Sequence, residues 1–367
     1  MAAAIKEIIE LLDELAPPAY QESYDNTGLI TGNSSVECSG VLCTLDATEE
    51  VILEAKQKNC NLIIAHHPII FSGLKKITGK TYVEKAVIAA IKNDIAIYAI
   101  HTNLDNVLAG VNGKMADKLG LINRKVLLPK PNSLMKMMVF VPVENAGKVR
   151  EAIFEAGAGK IGNYSECSFS VTGTMTFRPG EGTTPYLGEV GKREISPEEK
   201  IEAIFPAYLK DKVVAAMTEV HPYEEDAYDI IALNNFSNET GSGLIGDLPE
   251  WMDEAAFLQL VKKQFRLQVI RHTPLIEKKV KKVAVCGGAG SFLIKTTLAA
   301  GAGFYITSDV KYHEFFDAEN KMVIADIGHW ESEQFTIDLL YDFLLSNFPT
   351  FAIEKSTVKT NPVNYFT

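Results

Sequence analysis

The stretch Asn61-Leu62-Ile63-Ile64-Ala65-His66-His67-Pro68 sets the reading of the whole 367-residue chain. Its uncharged apolar run, with Ile63 and Ile64 at its centre, reads as a buried strand, and Pro68 stops it. His66 and His67 therefore stand where strand gives way to loop, and two imidazoles at a strand end are a candidate metal site. Three later stretches repeat the pattern. Residues 95–100 lead into His101-Thr102-Asn103-Leu104-Asp105, residues 303–307 into Ser308-Asp309-Val310-Lys311-Tyr312-His313, and residues 322–325 into Asp326-Ile327-Gly328-His329-Trp330-Glu331-Ser332-Glu333. Groups that follow parallel strands gather along one edge of an α/β sheet, where ligands bind. Five of the seven histidines are thus expected at one edge.

Composition narrows the class. Hydrophobic residues make up 47% and charged residues 23%, as in an ordinary globular protein, and the length allows two or three domains. The 36 basic residues are outnumbered by 47 acidic ones, a net charge of −11 that argues against nucleic acid as a main partner. The one short basic cluster, Lys278-Lys279-Val280-Lys281-Lys282, reads as a solvated strand flank. Five widely spaced cysteines without a CxxC pair suit reduced thiols in a cytosol. Residues 1–15 lack the basic and long apolar parts of a signal peptide, and no run reaches transmembrane length. The expectation is a cytoplasmic protein with no membrane association.

Along the chain, Ile5, Ile8, Ile9, Leu12 and Leu15 have helical spacing over residues 2–15, ended by Pro17 and Pro18. A strand at 41–45, a helix at 47–59 with Thr48 as N-cap, and the strand ending at His66 and His67 make a βαβ unit with parallel strands. A helix at 81–92 precedes the strand 95–100. From Lys136 the character changes to strand (137–143), helix (144–156), two strands (168–177 and 200–205), helix (207–220) and strand (227–233). That is the ferredoxin-like order. Only His221 falls in this block, in a His221-Pro222-Tyr223-Glu224-Glu225 segment read as a surface turn. The fold class is therefore α/β: a metal-binding α/β body in two parts, 1–130 and 238–367, interrupted by an inserted α+β domain at 131–237.

His101 with Asp105, and His329 with Glu333, are spaced i, i+4, which places each pair on one face of a helical turn. Together with His66, His67 and His313 they exceed one tetrahedral shell. Two metals about 3.5 to 4 Å apart, bridged by a carboxylate such as Glu333 or Asp105, would use them and suit hydrolysis by an activated water. Asp46, Asp309 and Asp326 also follow strands and read as turn or cap residues or as partners that orient ligands. Val283-Ala284-Val285-Cys286-Gly287-Gly288-Ala289-Gly290-Ser291 imitates a dinucleotide fingerprint without its third glycine. It reads as a tight turn between strand and helix, with the helix start a possible phosphate holder.

Asp25-Asn26-Thr27-Gly28-Leu29, Ala65-His66-His67-Pro68, His101 to Asp105, Gly287 to Ser291, Asp309 to His313 and Gly328 to Glu333, in that order, resemble the Nif-three-like family, whose members are called homologues of type-two GTP cyclohydrolase. The middle block resembles the PII-like or CutA-like insert of its longer bacterial members. The resemblance implies a dinuclear centre with ligands His66, His67, Asp105, His329 and Glu333, and with His101 and His313 lining the same pocket. It also implies a toroidal homohexamer. The expected cofactor is two divalent metal ions per chain, zinc first, with manganese, iron or cobalt as alternatives. The expected function is a metal-dependent hydrolase of a nucleotide or related small molecule, with His101 or His313 moving protons and Lys311 or the glycine loop holding a triphosphate. The alternative is a non-catalytic hexameric metal-binding scaffold or regulatory protein whose insert senses a ligand.

Overall fold

The computed structural model describes residues 3–366; Ala2, the first residue of the expected N-terminal helix, lies outside them. The chain divides into two compact units, Met1–Pro129 with Glu239–Thr367, and Lys130–Asn238.

The first unit holds two sheets. One has the strand order Gly28–Thr31, Ala96–Ala99, Leu62–His67, Val41–Asp46, Ile353–Lys355. Its three central strands run parallel because helices cross between them, Glu49–Gln57 and then Tyr82–Lys92, capped by Thr48 and Thr81 as their N-cap preference dictates. Both faces are covered, so Leu62–His67 shows no alternation of polarity. Leu62 and Ile64 pack on one side with Ile8, Leu12 and Leu340, while Ile63 and Ala65 pack on the other with Val51 and Val87. Each buried Leu or Ile side chain contributes about 1.5–3 kcal/mol. Ile353–Lys355 brings the end of the chain back beside Val41–Asp46, so both parts of the body share this sheet.

The second sheet has the order Arg271–His272, Val323–Asp326, Phe304–Ser308, Lys279–Ala289, Gly241–Asp253, Ile122–Pro129. Lys279–Ala289, Phe304–Ser308 and Val323–Asp326 are parallel, so their following loops emerge on one side. The His-bearing segments thus belong to two sheets rather than to one sheet edge. Ile122–Pro129 and Gly241–Asp253 are antiparallel neighbours, with Pro129 opposite Gly241. A short hairpin turn would join them; the chain makes its 130–238 excursion there instead.

That second unit is a four-stranded antiparallel sheet ordered Ser168–Phe177, Glu194–Pro206, Leu134–Pro142, Ala227–Ala232. The helices Ala146–Glu155 and Lys210–Val220 complete a strand, helix, strand, strand, helix, strand connectivity. Its first and last strands are neighbours, with Met135 opposite Ala232, so the excursion begins and ends at one place. Residues 222–225 do form a bend, with Glu224 and Glu225 exposed, but His221 itself does not face solvent. It is buried, with Nε2 donating to the Phe140 carbonyl at 3.0 Å and Nδ1 3.1 Å from Asp226 Oδ1, because it follows a helix whose inner face feeds the core. Among the described residues no helix is long and apolar enough to cross a membrane.

Candidate metal centre

Four imidazoles converge in the first unit. His66 and His67 end the strand Leu62–His67, and their rings sit 4.9 Å apart, each 5.3 Å from the ring of His101. His101 precedes the single helical turn Thr102–Asp105, which carries Asp105. From the other sheet, the turn His329–Glu333 follows Val323–Asp326 and brings His329 to 5.4 Å from His67.

One ring nitrogen of each histidine is already used. His66 Nδ1 meets the Ile100 carbonyl at 2.8 Å, His67 Nδ1 meets Asp46 Oδ1 at 2.8 Å, His101 Nδ1 meets Asp25 Oδ1 at 2.8 Å, and His329 Nδ1 meets Asp309 Oδ2 at 2.6 Å. A carbonyl or ionised carboxylate only accepts, so in every case Nδ1 donates its proton and Nε2 is the nitrogen left to face the pocket. Metal-bound histidines are oriented in this manner. Burial pushes the Asp25 and Asp46 carboxyls up, but the bonds from His101 and Thr102 to Asp25, and from His67 and Thr360 to Asp46, outweigh it. Asp25 is held at about 2 and Asp46 below its ordinary value, so both are anionic acceptors.

The Nε2 atoms face two carboxylates. Glu333, only 2% exposed, places Oε2 3.0 Å from His67 Nε2 and 3.3 Å from His329 Nε2, and Oε1 3.8 Å from His66 Nε2. Asp105 Oδ1 is 3.8 Å from the same His66 nitrogen. The ligand atoms form three overlapping triads, each within 4.8 Å: His66, His67 and His101; His67, His329 and Glu333; His66, Asp105 and Glu333. Divalent metals take such atoms at about 2.0–2.2 Å. His66 Nε2, His67 Nε2, Asp105 Oδ1 and Glu333 Oε2 are buried without an aligned hydrogen-bond partner. Buried polar atoms are normally satisfied, so four such atoms in one pocket fit the binding of cations that would pair with them.

Burial lowers the pKa of His67 and His329, but the carboxylates of Asp46 and Glu333 around the first, and Asp309 and Glu333 around the second, raise them to about 10 and about 11. Burial, with Glu333 nearby, pushes the Asp105 carboxyl up to about 7. Glu333 stays well below the carboxylate range, because the imidazoles outweigh its burial.

The backbone around the pocket is made for close approach. Gly288 has φ +63°, and a Cβ there would lie 2.4 Å from Glu333 Oε1. Its N–H donates to Ser332 Oγ at 3.0 Å, and the Gly287 N–H donates to Asn112 Oδ1 at 2.9 Å. The Asn112 Nδ2 in turn donates to the Asp105 carbonyl at 3.0 Å, joining the two loops that supply the carboxylates.

The Duf34/NIF3 (NGG1p interacting factor 3) family model matches residues 3–362. The chain belongs to the Duf34/NIF3 family. It is 44% identical to the GTP cyclohydrolase 1 type 2 homolog of Halalkalibacterium halodurans over 88% of this chain and 87% of that one. Identity to the Bacillus subtilis protein of the same name is 39%, over 89% and 88% of the two chains. The crystal structure of a Bacillus cereus protein related to NIF3 superposes with a TM-score of 0.86 at 40% identity, covering 99% of each chain.

In this Duf34/NIF3 chain His66, His67, His101, Asp105, His329 and Glu333 come together, and His313 stands apart. It is exposed on the short helix Tyr312–Ala318, beside Tyr312 and Phe316. Glu314 Oε2 accepts from the Lys311 N–H at 2.7 Å in a capping box at the start of that helix. Lys279–Ala289 extends through Gly287 and Gly288, whose N–H groups are already bonded to Asn112 and Ser332. Asp46 and Asp309 orient imidazoles. Asp326 instead accepts from Val310 N, Gly328 N and Arg271, tying together the loops that carry Asp309 and His329. Asp25, which opens the first of the motifs shared with the family, orients His101 from 76 residues away.

Proposed function

We propose that this protein is a hydrolase working with two divalent metal ions, one held by His67, His329 and Glu333 and the other by His66, Asp105 and Glu333. The observation that carries the reading is the four-fold pattern of Nδ1 atoms tied to acceptors, with the Nε2 atoms of His66 and His67 and carboxylate oxygens of Asp105 and Glu333 buried together without an aligned hydrogen bond. Bound divalent ions supply Lewis acidity and make a water nucleophilic near neutral pH. The chain's own residues then do the remaining work. Glu333, common to both triads, sets their spacing; Asp25 and Asn103 fix His101, whose Nε2 moves a proton at the pocket wall. His313 takes no part in this reading.

Relatives named GTP cyclohydrolase 1 type 2 homolog make purine nucleotides the first substrates to try. The family resemblance supports a toroidal homohexamer, and the strand order of Lys130–Asn238 supports kinship with PII-like or CutA-like domains. Five unpaired cysteines support a cytoplasmic setting. The test is metal content per chain together with hydrolysis of a nucleotide and phosphoester panel, wild type against His67→Ala. About two metals, with turnover abolished in the variant, is the expected result. Metal without turnover would move the reading to a metal-binding scaffold.

A further inference from the structure

Two large rings stand in the open beside the pocket. Tyr24 is 64% exposed and Phe71 53%, with centroids 6.3 Å apart and planes tilted by 36°. Phe71 packs its ring against His101 at 6.2 Å and 73°, and His101 is one ring further from His66 and His67. The rings lie in different loops, and both loops are fixed. Tyr24 precedes Asp25, whose carboxylate accepts from His101 Nδ1 and from the Thr102 backbone N–H at 3.0 Å. Phe71 follows Ile70, whose carbonyl accepts from Asn26 Nδ2 at 2.6 Å. The Asp25-Asn26 pair therefore holds one aromatic residue against the candidate metal ligands and clasps the other beside it.

Isolated exposed aromatics are ordinary; a pair set side by side on hydrogen-bonded loops next to the candidate site offers π-faces whose backbone is already positioned. Every nucleobase has a matching face, and such stacking tolerates different bases. We propose that Tyr24 and Phe71 form a stacking platform for a planar heteroaromatic ring of the substrate, so that the molecule acted on carries a base or base-like ring. This rests on the reading of the neighbouring pocket as the reaction site. The platform recognises the ring, while the pocket handles the bond that is broken.

The test uses the full-length, metal-loaded protein and three probes: GMP, UMP and ribose 5-phosphate, which keeps the sugar phosphate without a base. Dissociation constants are measured for wild type, Tyr24→Ala, Phe71→Ala and the ring-preserving Phe71→Trp, with metal content and oligomeric state recorded for each. The expected result is a loss of roughly 5- to 150-fold in GMP and UMP affinity for each alanine variant. Ribose 5-phosphate affinity and metal content stay unchanged, and Phe71→Trp binds as wild type does. Wild-type affinity for GMP and UMP no greater than for ribose 5-phosphate overturns the proposal. So does an altered oligomeric state with nucleotide affinity intact, which would make the rings a subunit contact. Failure of the metal reading is seen separately, as wild-type protein that takes up no metal.

Discussion

Metal-linked stability in a series of pocket variants gives a graded prediction. Glu333 belongs to two of the ligand triads, whereas Asp105 belongs to one. Glu333→Ala therefore dismantles both proposed metal positions, while Asp105→Ala leaves His67, His329 and Glu333 intact. A ligand that binds only the folded chain at a free concentration 100 times its dissociation constant adds about 2.7 kcal/mol of stability. Two filled positions in the wild type should add about twice that, Asp105→Ala should keep about 2.7 kcal/mol, and Glu333→Ala close to none. The assay is urea unfolding with and without zinc, each variant compared with its own metal-free form, so that effects of the substitution on the metal-free fold cancel. Both tryptophans, Trp251 and Trp330, lie in the first unit, so their fluorescence reports on the body that holds the site. A zinc-dependent gain that survives in Glu333→Ala, or that is lost entirely in Asp105→Ala, would refute the shared-carboxylate arrangement.

Three further outcomes follow from the same geometry. Gly288→Ala should lower metal content while the chain stays folded, since the new Cβ would press on Glu333 Oε1 at 2.4 Å from a left-handed backbone position; normal metal content would contradict this. Asp46→Asn should weaken metal affinity about 10- to 100-fold by loosening His67, whereas Thr360→Val, which removes only the other bond to Asp46, should not; chelator competition separates the two. In metal-free protein the Asp105 carboxyl is raised from 3.8 to about 7, so holding it ionised costs folding free energy above pH 7, and that cost disappears as pH falls from about 7 towards 4. Metal-free Asp105→Asn should therefore be more stable than wild type at pH 8 and lose that advantage near pH 4; equal unfolding midpoints at pH 8 would sink the argument.

Much of the site was legible because its grammar is local. Apolar runs that lead into His are strands, the pair His329 with Glu333 shares one helical turn, and His101 caps the turn that ends at Asp105. The parallel order around Leu62–His67 followed from helix-length connections. What escaped depends on contacts far apart in sequence. Gly241–Asp253 is a strand whose three glycines, Gly241, Gly243 and Gly246, dilute its apolar signal, and it is specified by pairing with Ile122–Pro129 and Lys279–Ala289. Asp25 reaches His101 across 76 residues, so nothing beside it announces the bond. The Gly287-Gly288 pair imitates a phosphate loop because close approach of any group needs the same missing side chain; here the approaching group is Glu333. His313 follows a strand as the other histidines do, but it stands on the short helix Tyr312–Ala318, which begins four residues beyond the strand end at Ser308, and there it is exposed.

The most direct test of the proposed centre is anomalous diffraction at the zinc absorption edge from crystals of zinc-loaded protein. The arrangement predicts two peaks per chain about 3.5–4 Å apart, one among His67, His329 and Glu333 and the other among His66, Asp105 and Glu333, with Glu333 between them. Peaks elsewhere on the chain, or none in this pocket, would contradict it.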